Sequence, residues 1–380
     1  MDILNNHNGL YTDFYELTMA QGYFLSNKTD EQVIFDYFFR DNPFHGGYVI
    51  FAGMGDLLES LKNFRYEASD IAYLKKQGFK DEFLEYLKTF KFSGTIRGMR
   101  EGEVVFPTEP VLQVEGNIIE CQLIETMLLN FLNFESLIAT KATRIKRVTG
   151  EKLFSDFGLR RAQGLGGLQA SRASAVGGIG ATSNVLAGYL YDISVTGTQA
   201  HSWIQSFEDE LTAFRKYAET FPEKTILLVD TYDTLNKGIP NAIKIGHELK
   251  AKGYSLKGIR LDSGDLAYLS KKARKMLDDA GLTDTKIIVS NQLDEYVIRS
   301  LSEQGAPIDG FGVGTELITG KKTAALDGVY KLSMINEQPK IKLSDTFEKI
   351  SIPGRKTVSR FYDSERCYYA DCIKFDKDDE

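Results

Sequence analysis

The stretch VTGTQAHSW, residues 195–203, contains a histidine in a setting that suits chemistry. The chain has only four histidines and one tryptophan. His201 precedes that tryptophan and follows a Gly-Thr turn and a β-branched run. Such a histidine serves as a buried structural side chain, a metal ligand or a nucleophile, because neutral imidazole donates at one nitrogen and accepts at the other. The sequence context leaves all three roles open, and the structural one is the commonest.

Two motifs at predicted strand ends suit an anion. FGVGT places Gly312, Gly314 and Thr315 where backbone N–H groups and a hydroxyl form an anion-binding nest. SNQLD supplies Ser290 and Asn291 at a neighbouring strand end. Together the two motifs predict a phosphate cup, although FGVGT alone is equally typical of a tight turn.

Two further motifs carry charge. RLDSGD combines Arg260, which matches phosphate oxygens bidentately, with Asp262, which can hold ribose hydroxyls or a Mg²⁺ shell. FGLRR places Phe157 before Arg160 and Arg161. Adjacent arginines point in different directions, so one can face a ligand while the other meets a structural partner. The alternatives are a solvated loop with a local ion pair and an exposed arginine pair.

The elements that must position these residues are predicted βα units. TILLVD, GIRLD, KIIVSN and DGFGVGT predict strands, and amphipathic helical patterns follow the first three. Because the strands of such units are parallel, their polar carboxyl ends gather on one face. Residues 93–118 and the chain from Gly328 onward predict further strands, and a long helix is predicted from about Cys121 to Arg147. We therefore expect a discontinuous lobe around a continuous barrel.

Composition limits the classes of function. The 380 residues exceed the size of one growing hydrophobic core, which favours two lobes. The net charge of −7 argues against a nucleic-acid or anionic-membrane surface. Three cysteines without a close pair indicate neither a disulfide framework nor a thiolate zinc site, and no export or membrane signal is recognisable. We expect a cytoplasmic protein.

Ten motifs in register resemble the nicotinate phosphoribosyltransferase family: YTDFYELTMAQGY, FFRDNPFHGGY, FGLRRAQG, TSNVLAG, GTQAHSW, DTYDTL, IRLDSGDL, VSNQLDE, GFGVGT and GVYKL. The resemblance implies an α/β fold of the type II phosphoribosyltransferase kind, an irregular (β/α) barrel with a discontinuous α/β flanking domain. We place the barrel at residues 121–324 and the flanking domain at 1–120 and 325–380. The family's reaction joins nicotinate to 5-phosphoribosyl 1-pyrophosphate, coupled to ATP hydrolysis, in a homodimer with shared active sites.

The resemblance also assigns roles to residues. His201 matches the histidine that the family phosphorylates from ATP, with Asp230 as its orienting partner and Mg²⁺ carried on substrate phosphates. Tyr15 of a second subunit and Phe157 would sandwich the pyridine ring. The other implied contacts are Arg160 to a phosphate or the substrate carboxylate, Asn184 to the ring substituent, Arg260 and Asp262 to the phosphoribosyl donor, Ser290, Asn291, Gly314 and Thr315 to its 5′-phosphate, and Lys331 to a phosphate of ATP. Gly312 of the same nest is predicted to bind substrate.

Three alternatives are weighed against this assignment. A nicotinamide phosphoribosyltransferase would carry an acid near Asn184, and the amide there favours an acid substrate. A quinolinate phosphoribosyltransferase needs further basic residues for a second carboxylate. A non-catalytic sugar-phosphate-binding barrel would have no use for His201 and Arg160 together. Two departures from the family pattern are His45 in PFHGGY and a chain that ends soon after CIKF.

Overall fold

The computed structural model describes residues 7–343 and 351–375, and all statements below concern these residues. The strands, in chain order, are β1 (Gln32–Phe39), β2 (Val49–Ile50), β3 (Thr95–Gly98), β4 (Val104–Val105), β5 (Leu112–Asn117), β6 (Leu153–Asp156), β7 (Ala181–Thr182), β8 (Ile226–Leu228), β9 (Gly258–Leu261), β10 (Lys286–Ser290), β11 (Gly310–Val313), β12 (Gly328–Ile335), β13 (Gln338–Pro339), β14 (Lys356–Tyr362) and β15 (Tyr368–Phe375).

The α-helices are α1 (Phe14–Leu25), α2 (Met54–Lys62), α3 (Ala68–Lys76), α4 (Asp81–Lys88), α5 (Ile118–Leu123), α6 (Glu125–Thr149), α7 (Gly166–Val176), α8 (Val185–Tyr191), α9 (His201–Gln205), α10 (Glu210–Thr220), α11 (Ile239–Ala251), α12 (Leu266–Asp279), α13 (Glu295–Glu303) and α14 (Thr315–Ile318). Short 3₁₀ turns cover Asn8–Leu10, Pro43–His45 and Leu159–Arg161, and a π turn covers Thr234–Gly238. None of the described helices combines the length and the apolar character that crossing a bilayer requires.

The chain forms two compact units, residues 1–140 with 322–380 and residues 141–321. The boundaries predicted from the sequence lie at 120/121 and 324/325. In the structure, the first boundary between the units lies between residues 140 and 141, inside helix α6. The long helix predicted from Cys121 to Arg147 is in fact two helices, α5 and α6, separated at Ile124.

The first unit contains a five-stranded sheet in the order β13-β12-β1-β5-β3. Its central strand, β1, is buried at every position except the first, and Phe35 stacks on Tyr330 of β12 at 4.6 Å between ring centroids. As predicted, a strand that follows Gly328 joins the sheet of residues 93–118, although β1 lies between β12 and β5. The last two strands form a separate hairpin, β14–β15.

The second unit contains a parallel sheet in the order β7-β6-β11-β10-β9-β8. The segment 194–199 closes it irregularly. Thr182 of β7 exchanges backbone hydrogen bonds with Ser194 and Thr196, both 2.9 Å, and the Gln199 side chain donates to Ile226 O of β8 at 3.3 Å. The predicted βα units and the irregular α/β barrel are therefore confirmed.

Some local predictions were wrong. Apolar residues at helical spacing from Thr12 to Leu25 predict a helix that Thr12 or Asp13 could cap. Helix α1 begins at Phe14, but neither side chain caps it, because the Thr12 hydroxyl donates to Glu16 and the Asp13 carboxylate accepts the Thr126 hydroxyl. The position of His7 close to the N-terminus predicts a mobile side chain, but its Nδ1 lies 2.5 Å from the buried Asp70 carboxylate. The pattern KIKLS, residues 340–344, predicts a strand that is absent over residues 340–343. Ser344 and the acidic tail DKDDE, residues 376–380, which is predicted to fray, lie outside the described residues.

Candidate active site

A cavity of about 550 Å³ lies at the carboxyl ends of the parallel strands of the second unit. Its position follows from the βα topology, which places every strand-to-helix loop of a parallel sheet on the same face. The structure brings together most of the site residues predicted from the sequence. Those that line the cavity are Phe157, Arg160, His201, Arg260, Asp262, Ser290, Asn291, Gly312, Gly314 and Thr315.

The aromatic wall of the cavity depends on a glycine. The ring of Phe157 lies on Gly312 so closely that a Cβ at position 312 would come within 2.4 Å of it. The Arg260 guanidinium lies over the Phe157 ring, with its central carbon 6.0 Å from the ring centroid. A cation near the ring and a flat aromatic surface suit a planar, negatively charged ligand.

Asp156 holds the turn that carries Phe157, and sequence reasoning missed it. This fully buried residue ends β6. One carboxylate oxygen accepts the Gly158 N–H at 2.7 Å, and the other accepts hydroxyls of Ser171 at 2.9 Å and Thr182 at 2.7 Å. A buried carboxylate with three donors fixes the FGLRR loop. The available signal was an acid at the end of an apolar strand.

Arg260 and Asp262 form the charged floor. Arg260 Nη1 donates to Thr198, and Nη2 lies 3.9 Å from Asp262 Oδ1. That carboxylate also accepts the Ser290 hydroxyl. Burial lowers the pKa of Arg260, the carboxylates of Asp262 and Asp230 oppose this change, and the charge of Arg160 adds to it. Two cations near each other in a partly buried site favour an anionic ligand.

The phosphate-cup motifs lie at adjoining strands, because β10 pairs with β11 and Ser290 stands opposite Gly312. Immediately after β10, Asn291 and Gln292 both adopt left-handed backbone angles, with φ of 78° and 49°. Successive non-glycine residues in this region carry strain of about 1–3 kcal/mol each, which is typical of ligand-binding loops.

His201 is half-buried at the first position of α9, and its hydrogen-bond partner differs from the prediction. Its Nδ1 lies 3.0 Å from the Thr231 hydroxyl oxygen. Asp230, the predicted partner, instead accepts the Asp262 N–H and the Ser263 hydroxyl through one oxygen, each at 2.7 Å. One oxygen of its carboxylate is therefore engaged by the loop that follows β9.

Asn184, which was predicted to contact the ring substituent, is not among the residues that line the cavity. Its side chain is buried and caps α8, where Oδ1 accepts the Ala187 N–H at 3.2 Å. Its Nδ2 donates to Gly167 O and to the Ser171 hydroxyl. The neighbouring Ser183 lines the cavity instead. The amide of Asn184 therefore gives no direct information about the substrate.

The sequence left open which arginine of FGLRR faces the ligand, and both Arg160 and Arg161 line the cavity. The 3₁₀ turn that contains them permits this. The cavity also includes residues that sequence reasoning did not single out: Ser183, Gly197, Thr198, Gln199, Ala200, Gln292, Leu293 and Glu316. Glu316 is buried and paired with Lys321 at 2.6 Å.

Tyr15 and Lys331 belong to the first unit, where both influence the pKa of Glu125. Burial raises the pKa of Glu125, while Lys331 and a hydrogen bond from Tyr15 oppose the rise. The pKa of Tyr15 is raised by burial and then by the charges of Glu125, Glu16 and Asp13, so the phenol stays neutral. The Tyr15 ring remains 47% exposed.

Comparison with known proteins gives one consistent result. Residues 10–133 match the family model for the nicotinate phosphoribosyltransferase N-terminal domain, and residues 153–365 match that for the nicotinate phosphoribosyltransferase family. The chain is 50% identical over 357 residues to nicotinate phosphoribosyltransferase of Bacillus subtilis (strain 168), covering 92% of this chain and 72% of that protein.

Two more distant relatives agree. The nicotinate phosphoribosyltransferase of Caenorhabditis elegans is 41% identical over 414 residues, covering 93% of this chain and 74% of that protein. The crystal structure of human nicotinic acid phosphoribosyltransferase superimposes with a TM-score of 0.86 at 32% identity, over 97% of this chain and 82% of the human one.

Proposed function

The chain belongs to the nicotinate phosphoribosyltransferase family, and we propose that it joins nicotinate to 5-phosphoribosyl 1-pyrophosphate, forming nicotinate mononucleotide and pyrophosphate for NAD biosynthesis. The observation that carries this proposal is that one cavity contains both an aromatic ring, Phe157, and several arginines. The same cavity is lined by the strand ends at Ser290 and Gly312–Thr315. That combination provides a surface for a pyridine acid beside a site for phosphates.

The acceptor binds against Phe157. The pyridine ring stacks on the phenyl ring. Because Gly312 has no side chain, the phenyl ring can lie directly against the backbone of β11. Arg160 and Arg161 supply charge for the nicotinate carboxylate or a substrate phosphate. A neutral carboxamide would gain less from these cations, which favours nicotinate over nicotinamide.

The phosphoribosyl donor binds along the strand ends. Ser290, Asn291, Gly314 and Thr315 hold its 5′-phosphate, and Arg260 pairs with the pyrophosphate. Loss of pyrophosphate leaves positive charge at C1 of the ribose, so catalysis depends on charge stabilisation and on a positioned ring nitrogen rather than on proton transfer.

Magnesium fits this site as a substrate-borne ion. Mg²⁺ commonly combines one or two protein carboxylates with substrate phosphates, and Asp262, about one-third exposed beside Arg260, offers one such carboxylate. Asp230 has a second oxygen that is buried and without a hydrogen-bond partner among the described residues. When bound, Mg²⁺ neutralises charge on the leaving pyrophosphate.

We further propose that ATP phosphorylates His201 and that this modification makes the site more effective without performing the glycosyl transfer. The support is its place in the cavity beside Arg160 and Arg260, whose charges stabilise an added phosphoryl group. Lys331 is proposed to contact a phosphate of ATP.

We also propose a homodimer in which Tyr15 of one subunit completes the site of the other. Both units expose apolar side chains that a second copy would cover: Phe14, Tyr15 and Met19 on α1, and Val185, Leu186, Tyr189 and Leu190 on α8. Contiguous exposed apolar residues are typical of protein interfaces.

The function is tested by pyrophosphate release from the phosphoribosyl donor with each of three acceptors. Nicotinate should support release, and nicotinamide and quinolinate should not. Release with nicotinamide at a comparable kcat/KM, or with no pyridine acid at all, would contradict the proposal. Donor binding without release under any condition would favour the non-catalytic sugar-phosphate-binding barrel.

A further inference from the structure

The hydrogen bond between His201 and Thr231 has a chemical consequence for the proposed phosphohistidine. His201 lines the cavity, whereas Thr231 does not. Since Nδ1 is the nitrogen that lies 3.0 Å from the Thr231 hydroxyl, Nε2 is the nitrogen left for a ligand in the cavity. The threonine therefore determines which ring nitrogen can react.

Asp230 makes no hydrogen bond to His201 in the structure, where the histidine pairs with Thr231. One of its oxygens accepts two hydrogen bonds, from the Asp262 N–H and the Ser263 hydroxyl. These contacts tie Asp230 to the loop after β9, which also carries the cavity carboxylate of Asp262. The adjacent Thr231 is left as the hydrogen-bonding side chain for His201.

We propose that Thr231 is the positioning residue for His201, with the Nδ1 proton donated to the Thr231 oxygen and the lone pair of Nε2 directed to the cavity. This inference rests on the proposed function, because only a nucleophilic imidazole needs this tautomer. A hydroxyl accepts or donates equally well, so the tautomer is a testable property of this pair. An Nε2 that carried the proton could only donate to a phosphate.

The group transfer then balances. Nε2 attacks the γ-phosphorus of ATP, the Nε2–P bond forms, and the bond from that phosphorus to the bridging oxygen breaks with its electron pair leaving on ADP. The proton on Nδ1 stays in place and continues to be donated to Thr231. Hydrolysis of the N–P bond by water releases phosphate and restores the same neutral tautomer.

The test is ¹⁵N NMR of the full-length protein labelled at histidine, which has only four histidines to resolve. His201→Asn identifies the His201 signals. In the wild type we expect a protonated Nδ1 and an unprotonated Nε2. Thr231→Val, of the same shape, should move the proton to Nε2 and lower the initial rate of labelling from γ-labelled ATP about tenfold. Thr231→Ser should retain both properties.

Thr234→Val, three residues further on, is the matched control and should leave the tautomer unchanged. A proton on Nε2 in the wild type, or on Nδ1 in Thr231→Val, would overturn the inference. The expected tautomers with no label from ATP in any protein would instead contradict the phosphohistidine, while the role of Thr231 in orienting His201 would stand.

Discussion

At the scale of single residues, the contact between Phe157 and Gly312 sets the shape of the cavity. Gly312 is buried in β11, and the Phe157 ring occupies the space in which a side chain at 312 would lie. Buried Asp156 fixes the turn on the other side of Phe157. A larger residue at position 312 would therefore have to displace the ring.

We predict that Gly312→Ala raises the KM for nicotinate about tenfold, because the added methyl group displaces the Phe157 ring from its stacking position. Steady-state kinetics at saturating phosphoribosyl donor provide the measurement. The control is Gly197→Ala, also at the cavity, where a Cβ meets no atom within 4 Å and a smaller change is expected. An unchanged KM in a folded Gly312→Ala protein would argue against stacking on Phe157.

The sequence motifs were a good guide to the side chains that line the cavity. They were a poorer guide to the hydrogen bonds that those side chains make. Asn184 and Asp230 belong to the expected motifs. However, the Asn184 side chain caps a helix, and the Asp230 carboxylate accepts a loop N–H. Both outcomes depend on competition among donors that are distant in sequence or differ by a single position. Strand-end placement, by contrast, follows from chain topology alone.

At the scale of elements, the β14–β15 hairpin is held by a compact charged contact. Arg360 of β14 forms two hydrogen bonds with Asp371 of β15, at 2.8 and 2.6 Å, and lies 4.6 Å from the centroid of the Tyr368 ring. Glu109, in the loop between β4 and β5, lies 3.9 Å from the same arginine. Glu109 and Asp371 also share a hydrogen bond.

This pair makes stability depend on pH. The pKa of Glu109 is raised to about 7, mainly by burial and also by the Asp371 carboxylate, while the Phe106 N–H and Arg360 oppose the rise. Between its ordinary value of 4.5 and about 7, the folded protein binds more protons at Glu109 than the unfolded chain does. The contribution to stability is therefore complete below pH 4.5 and is lost as the pH rises to about 7.

We predict that Glu109→Gln flattens this pH dependence, because an amide donates to Asp371 at every pH. The free energy of unfolding of the wild type should fall by up to about 3 kcal/mol more than that of the variant over this interval. Urea unfolding at a series of pH values measures it, with the exposed Glu82→Gln as control. Some slope should remain from Glu16, whose pKa burial also raises to about 7. Identical slopes for variant and wild type would exclude Glu109 as a titrating group.

Among the elements, four of the six parallel strands, β8 to β11, were predictable because each is a short apolar run that ends in a polar cluster, whereas β6 and β7 were not predicted. Strand β1, QVIFDYFF, was not predicted. It is the centre of its sheet and is buried on both faces, so it lacks the alternation that marks a half-exposed strand. The break at Ile124 between α5 and α6 also left no Gly or Pro signal in the sequence.

At the scale of the whole molecule, the residues assigned to one reaction lie in two compact units. Tyr15 belongs to the first unit and His201 to the second. Tyr15 is a neutral, half-exposed ring on a helix whose neighbours Phe14 and Met19 are also exposed. Such a ring is available to stack on a ligand held by another chain.

We predict that subunit exchange between two proteins of low activity, Tyr15→Ala and His201→Ala, raises the activity above that of either protein alone. A heterodimer contains one site in which both residues are intact if Tyr15 acts across the interface. Activity is measured after mixing, and exchange is verified with differently tagged chains. Full exchange without recovery would indicate that Tyr15 acts within its own chain.

The most direct test of the proposed mechanism is the chemical state of His201 after incubation with Mg-ATP labelled at the γ-phosphate. We predict an acid-labile, base-stable label that maps to residues 195–203. His201→Asn should lose both the label and the stimulation by ATP, yet retain weak ATP-independent synthesis, because the contacts to ring and donor remain. A label that persists in His201→Asn, or full stimulation of that variant by ATP, would contradict the mechanism.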